Sequence, residues 1–195
     1  MVITTAVSAV VLTACSNISP ASPTVDVPTT AAAAPASETP AADANESARG
    51  NLIKQVGETA GWGVSNADIS VKFVVDKITI DPKCTTQFAA SAQNGHLVKV
   101  DMRVETTPSM PPNFAYSINP GAWSAVGEDG ITQTSLATAP SFSCLNSNEQ
   151  LPSQLSPASK YRGSIVLDIS SPAGTLIFSH PNPTLGGWEW TYGTA

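Results

Sequence analysis

The sequence predicts an all-β domain, a β-sandwich or small barrel of about seven or eight short antiparallel strands. From about Gly61 onward, apolar residues alternate with polar ones in short runs. Turn sequences such as Asn94-Gly95 and Asn119-Pro120-Gly121 separate those runs. Only 12% of the 195 residues are charged, which disfavours long solvated helices and coiled coils.

The strands can be placed by the period of their apolar residues. The runs that predict strands lie at 69–80, 97–106, 114–118, 123–126, 161–169, 176–178 and 188–192. In the first run the apolar parity changes near Asp76-Lys77, which predicts a bulge or a switch between two sheets. Only residues 48–60 are compatible with a helix, with Leu52, Ile53 and Val56 on one face.

The front of the chain has the pattern of an export signal. A short apolar run, residues 2–12, ends in Leu12-Thr13-Ala14-Cys15. A membrane span needs about 20 apolar residues, so this run has the length of a signal-peptide core instead. The motif resembles the lipobox of bacterial lipoproteins, a resemblance that implies cleavage of residues 1–14 and lipidation of Cys15. The alternative is that Cys15 is a buried cysteine at the end of a strand.

A segment rich in Ala, Pro, Thr and Ser follows the cysteine and predicts a disordered tether over residues 15–48. The segment contains no aromatic residue and no basic residue, and almost no large aliphatic one. Such a composition cannot bury enough apolar surface to offset the entropy of ordering. It is typical of a plain spacer, and the alternative is a spacer with O-linked sugars. The folded domain is therefore predicted over residues 49–195.

Two cysteines remain once Cys15 is assigned to the lipid. Outside the cytosol we expect Cys84 and Cys144 to form a disulfide. A zinc site is disfavoured because the sequence has neither Cys-x-x-Cys nor His-x-x-x-His spacing. A catalytic thiol is disfavoured because it would need a free cysteine beside a histidine.

One stretch is similar to a known family. Residues 155–169 read LSPASKYRGSIVLDI, which resembles the L-x-P-G-x-x-x-x-G-x-V-x-F-D-V stretch of telokin-like extracellular domains of bacterial lipoproteins. Residues 174–178 and 98–104 resemble two further strands of that family, and the resemblance spans about residues 72–179. It implies an immunoglobulin-like β-sandwich outside the cytoplasm and transfers no site residues. Ala158 stands where the family has Gly, and Glu105-Thr106 where it has Asn.

The sequence offers few residues in patterns that support catalysis, and we expect no enzymatic activity, cofactor or metal site. It lacks the Gly-x-Ser-x-Gly motif of serine hydrolases and a phosphate-binding glycine loop. Trp188, Trp190 and Tyr192 are candidate ligand-binding residues, because alternate aromatic residues on one strand face can form a platform for a sugar or peptide. The alternative is that they belong to the core, where large aromatic side chains mostly lie.

These features together predict a lipid-anchored module on the extracytoplasmic side of the cell membrane that binds an envelope protein or glycan. The formal net charge of −6 and pI near 4.7 argue against a nucleic-acid partner. Two alternatives remain open. A carrier or sensor of a small apolar or glycan ligand would need a cavity between the sheets. An envelope enzyme would need clustered carboxylates, or a histidine near a serine or cysteine.

Overall fold

Two β-sheets packed face to face make up the fold. The structure, a computed structural model, describes residues 45–65, 68–110, 118–182 and 184–193. The strands in chain order are β1 (Leu52–Ile53), β2 (Thr59–Ser65), β3 (Asp68–Ile80), β4 (His96–Thr106), β5 (Trp123–Gly127), β6 (Thr132–Gln133), β7 (Lys160–Ile169), β8 (Gly174–Phe178) and β9 (Trp188–Tyr192). One sheet has the order β1-β9-β8-β5-β6 and the other β2-β3-β4-β7. All pairs are antiparallel except β1 with β9.

The predicted all-β fold, a β-sandwich, is confirmed. The described residues contain nine strands where about seven or eight were expected. The predicted runs did not include β1, β2 or β6, and of these β1 and β6 have only two residues and leave no alternation in the sequence. In β4, Val98, Val100, Met102 and Val104 are buried, as its alternation predicted. The register between β3 and β4 shifts between Val75 and Lys77, which confirms a bulge where the apolar parity changes. Residues 111–117, which hold most of the strand predicted at 114–118, lie outside the described residues.

The helix considered for residues 48–60 was wrong. This segment contains β1, turns and the start of β2, and its Gly50 and Gly57 have φ values of 76° and 93°. Positive φ at two positions is incompatible with a continuous helix. The structure instead has a short helix α1 (Ala139–Ser143) and a 3₁₀ turn (Pro120–Ala122). Within the described ranges, neither helical element has the length and apolarity needed to cross a bilayer.

Aromatic side chains fill the space between the two sheets. The members of this aromatic cluster are Trp62, Phe73, Trp123, Phe178, Trp188 and Trp190. Their ring centroids lie 5.0 to 6.2 Å apart in mostly tilted or edge-to-face contacts. Aromatic pairs at such distances stabilise by about 0.5–1.5 kcal/mol each beyond their burial. The cluster therefore joins the sheets through directional contacts as well as through apolar burial.

A second, smaller apolar cluster lies on the opposite face of the four-stranded sheet. It consists of Leu97, Cys144, Leu145 and Val166, with Cys84 and Ala92 packed against them. These residues come from β4, β7, the end of α1 and the long connection between β3 and β4. One end of the outer face of this sheet is consequently covered by chain, and β7 is buried on both faces from Ser164 to Ile169.

Candidate functional site

The predicted lipidation site and most of the predicted tether lie outside the described residues, which begin at Asn45. Lipidation of Cys15 and the boundaries of the tether therefore stay predictions. Residues 45–48 belong to a folded turn, because the amide of Ser47 donates to the carbonyl of Asn51 at 2.8 Å. Glu46 also forms an isolated antiparallel bridge with Leu52 of β1.

The segment that enters the domain is fastened to the last strand. The Arg49 guanidinium donates to both carboxylate oxygens of Glu189 at 3.0 and 3.1 Å, and the Glu189 side chain is only 7% exposed. The amides of Leu52 and Lys54 donate to the carbonyls of Gly187 and Glu189 at 2.9 and 2.8 Å. We call residues 45–54 the entry segment. Its contacts fix where the chain from the predicted tether meets the sandwich.

The predicted disulfide between Cys84 and Cys144 is confirmed. The two sulfurs are 2.06 Å apart, and the residues are separated by 60 positions in the chain. The bond joins the connection after β3 to the end of α1, inside the smaller apolar cluster. Its role in this structure is to hold the covering chain on the outer face of the four-stranded sheet.

The three aromatic residues predicted to bind a ligand lie in the core. Trp188, Trp190 and Tyr192 are 4%, 1% and 3% exposed. A binding platform needs ring faces that a ligand can reach, and these rings are covered by the facing sheet. The strand thus has the core role that its sequence left as the alternative. The rings of the aromatic cluster are in direct contact with one another, with centroids 5.0 to 6.2 Å apart.

The remaining chemically capable residues occupy separate places. His96 Nδ1 lies 2.8 Å from a carboxylate oxygen of Asp81 at the start of β4. His180 lies beside Trp188, and Met102 is fully buried in the core. Across the ranges that the structure describes, no three His, Cys, Asp or Glu side chains come together as metal ligands.

The outer face of the four-stranded sheet is divided into a covered half and an open half. The smaller apolar cluster covers the half near Leu97 and Val166. At the other end the side chains between the buried positions of β4, such as Arg103 and Glu105, are exposed. A groove of about 500 Å³ runs over this open half, across β3, β4 and β7.

Strand register places the side chains of the open half in two rows. Lys72, Glu105 and Lys160 are direct cross-strand neighbours, and so are Val74, Arg103 and Arg162. We call these six positions the cationic face. Directly paired side chains have Cβ atoms about 4.5–5.5 Å apart, and residues two apart on a strand are about 7 Å apart. Four cationic residues and one carboxylate thus occupy positions whose Cα atoms lie within about 12 Å of one another.

Two of the four cations have carboxylate partners. Arg103 donates to Asp76 through Nε and Nη2 at 2.8–2.9 Å, and this contact raises the pKa of the Arg103 guanidinium. Lys160 Nζ lies 3.3 Å from Glu105, in a pair whose side chains are 80% and 55% exposed. Such an exposed pair contributes little to stability. Within the described part of the chain, the side chains of Lys72 and Arg162 form no ion pair or hydrogen bond.

Sequence reasoning missed the cationic face. The outward residues of β4 could be read from its alternation, and so could the outward position of Arg162 on β7. What the sequence did not contain was the register that sets Arg162 opposite Arg103 and Lys160 opposite Glu105. Residues 49–195 contain nine basic and eleven acidic residues, and this near balance over the whole domain concealed a local excess of cations.

Comparisons with known proteins return little for this chain. No family model matches it, and no curated protein matches it. Among solved structures, the chain is similar to MPT63, a secreted protein from Mycobacterium tuberculosis, with 12% sequence identity and a TM-score of 0.47. That similarity covers 72% of this chain and 97% of MPT63. A similarity at this level gives no information on function.

Proposed function

We propose that this protein is a lipid-anchored, extracytoplasmic binding module without catalytic activity. The lipobox-like sequence at Cys15 supports the anchor, and the composition of residues 16–48 supports a tether between the anchor and the domain. The disulfide supports a location outside the cytosol, where such bonds form and persist.

The observation that carries the binding role is the open groove of the cationic face. At the other end of the sheet, the smaller apolar cluster covers the outer face. At the open half, exposed long side chains surround a concave surface of about 500 Å³. Concave surfaces with converging polar groups are the usual places for recognition. The binding partner would be a component of the cell envelope, the compartment that the anchor implies.

The anchor is tested by fractionating cells that express the full chain. Cys15→Ala removes the only thiol that the lipobox offers, so we expect the variant to leave the membrane fraction. Ser16→Ala is the matched control, because it changes the adjacent side chain and keeps the thiol. Retention of the Cys15→Ala variant in the membrane fraction would show that the anchor is wrong.

The binding role is tested separately with the soluble Cys15→Ala chain and isolated cell envelopes. After mixing and sedimentation, we expect saturable retention of the protein by the envelopes. Amounts that rise linearly with protein concentration, with no saturation, would contradict a specific binding module. The measurement does not depend on the chemical nature of the partner.

A further inference from the structure

The arginines of the cationic face are arranged in a way that costs the free protein stability. Arg103 and Arg162 are direct cross-strand neighbours in the β4–β7 register. Like charges at directly opposed positions destabilise a sheet. Asp76 offsets the charge of Arg103 with three hydrogen bonds, but it leaves Arg162 without a partner among the described residues. Lys72, in the neighbouring row, also has no ion-pair partner among the residues that the structure describes.

The unpaired side chains of Arg162 and Lys72 indicate which ligand would offset the repulsion between Arg103 and Arg162. Arg162 presents an unoccupied guanidinium, whose planar set of donors matches the two oxygens of a phosphate or carboxylate. Lys72 lies on β3, two strands away from Arg162 on β7. Neighbouring strands are about 4.8 Å apart, so the Cα atoms of Lys72 and Arg162, two strands and two residues apart, are separated by about 12 Å. The two cationic groups can therefore contact separate anionic groups, and a ligand that carries anionic groups at intervals can contact both at once.

We propose that the cationic face binds a phosphodiester-linked polymer of the cell envelope, with Arg162 and Lys72 contacting successive phosphates. This inference rests on the proposed function and names the class of its partner. A phosphodiester stays ionised at every repeat and offers two oxygens to the guanidinium of Arg162. The whole chain has a formal charge of −6, so its net charge repels a polyanion. Binding of a polyanion therefore has to come from a local group of cations.

The surroundings of the face favour a polymer over a lipid surface. Protein surfaces that enter a membrane interface combine cations with exposed large apolar side chains. The exposed large apolar residues of the described chain are Leu52, Ile53, Val56, Phe88, Ile131, Phe142 and Leu185, and none of them lines the groove. The groove is also concave, so an extended chain can enter it while a flat bilayer surface cannot reach its floor.

The direct test measures binding of short poly(glycerol phosphate) to the soluble Cys15→Ala chain by titration calorimetry. The test variant adds Arg162→Gln and Lys72→Gln, which remove two charges that no described residue uses. The matched control adds Lys54→Gln and Lys83→Gln, which remove the same charge outside the face. We expect the test pair to weaken binding about five- to tenfold and the control pair to change it by less than about twofold. Raising the salt concentration should weaken binding by the parent chain.

Other probes separate the possible ligands. Weaker binding of polyglutamate, of inorganic phosphate and of phosphatidylglycerol vesicles than of the polymer would support the proposal. Equal or tighter binding of polyglutamate would overturn the choice of phosphate, and preferential binding of the vesicles would overturn the choice of a polymer. Equal weakening by the test and control pairs would overturn the site.

The outcome for this inference can be told apart from the outcome for the binding module. If envelopes retain the parent chain saturably and the test pair does not weaken that retention, the module stands and the cationic face is wrong. If envelopes do not retain the parent chain, the proposed function itself fails. Far-ultraviolet circular dichroism of each variant confirms that its sheets are intact before binding is compared.

Discussion

Asp168 is a buried carboxylate that joins three parts of the covered half of the four-stranded sheet. Its side chain is inaccessible to solvent. One oxygen accepts from the amide of Gln93 at 2.8 Å and from the hydroxyl of Thr138 at 2.6 Å, and the other accepts from the amide of Asn94 at 2.9 Å. Each of these three donors needs an acceptor. In Asp168→Asn, an NH₂ group replaces one carboxylate oxygen, so one of the donors then faces another hydrogen-bond donor.

The cost of Asp168→Asn can be worked from these contacts. In the least costly orientation, the NH₂ group of the new asparagine faces the backbone amide of Asn94. The hydrogen bond from that amide is lost, and a buried N–H is left unsatisfied, at a cost of about 1–3 kcal/mol. The other two hydrogen bonds lose the charge of the acceptor, at about 1 kcal/mol each. The smaller desolvation penalty of a neutral side chain offsets part of that sum. We expect a net loss of about 3 kcal/mol in the free energy of unfolding.

Urea unfolding with the disulfide intact measures that loss. Asp129→Asn is the matched control, because Asp129 is exposed and its side chain accepts a single hydrogen bond, from the amide of Ile131 at 2.9 Å. The control should cost less than about 0.5 kcal/mol, as surface substitutions generally do. A loss of under about 1 kcal/mol for Asp168→Asn would refute the reasoning, since it would mean that the three donors find other acceptors.

The other expected outcomes concern the disulfide, a backbone position, the entry segment and one exposed carboxylate. Reducing Cys84–Cys144, which closes a loop of 60 residues, should lower the free energy of unfolding by about 4 kcal/mol on the chain-entropy model, measured in urea with and without reductant. Ala158→Gly should raise it by about 1 kcal/mol in the same assay, because Ala158 has a left-handed φ of 52°. Arg49→Gln leaves the buried carboxylate of Glu189 on β9 without its cation. Because the Arg49 side chain is 43% exposed, we expect the free energy of unfolding to fall by only about 1–2 kcal/mol, and amide hydrogen exchange in β1 to become faster. Hydrogen bonds from Thr85 and Asn146 hold the pKa of Glu149 below its ordinary 4.5. The stabilisation by ionised Glu149 is therefore complete above pH 4.5 and is lost as the pH falls through the folded-state pKa. Glu149→Gln should remove this part of the pH dependence of the urea midpoint.

Each of these outcomes has a result that would contradict it. An unchanged urea midpoint in reductant would mean that the covering chain stays in place without the cross-link. A less stable Ala158→Gly variant would mean that the entropy glycine adds to the unfolded chain exceeds the strain relieved. Unchanged hydrogen exchange in β1 would show that backbone pairing alone holds the entry segment. For Glu149, a carboxyl titration by NMR at or above 4.5 would contradict the pKa direction.

The sequence predicted the parts of the fold that have one face in water. β4 is the clearest example, because its inward residues are apolar and its outward residues are charged along most of its length. β7 was found from the same pattern, yet its second half is buried on both faces. The sequence did not show that α1 and the disulfide-linked connection would cover it. Layers that form from distant segments leave no local periodicity, which is the signal that sequence reasoning uses.

The errors at the two ends of the domain have physical causes. The helix predicted at residues 48–60 depended on the helical spacing of Leu52, Ile53 and Val56. These side chains are 40–48% exposed, so they do not form the buried apolar face of a helix. The entry segment is held by backbone pairing and by Arg49, neither of which produces an apolar pattern. At β9 the alternation of Trp188 and Trp190 was read correctly, but alternation cannot tell a ring that faces a ligand from a ring that faces the other sheet.

Ala158 has a left-handed backbone conformation, with a φ of 52°. A side chain at such a φ is strained, because the Cβ approaches the following carbonyl. Ala158 is therefore a position where this chain keeps a backbone strain that glycine would relieve.

The parallel pairing of β1 with β9 has a mechanical consequence. A pulling force that enters the domain from the residues before Asn45 reaches the entry segment first, and it acts on the Arg49–Glu189 ion pair and on the amide bonds of Leu52 and Lys54. These contacts can break while the remaining strands of both sheets keep their partners. Detachment would then release the residues between Asn45 and β2 as extra length under tension. The entry segment would thus detach from β9 under tension before the two sheets unfold, at a rate set by the barrier to its own detachment.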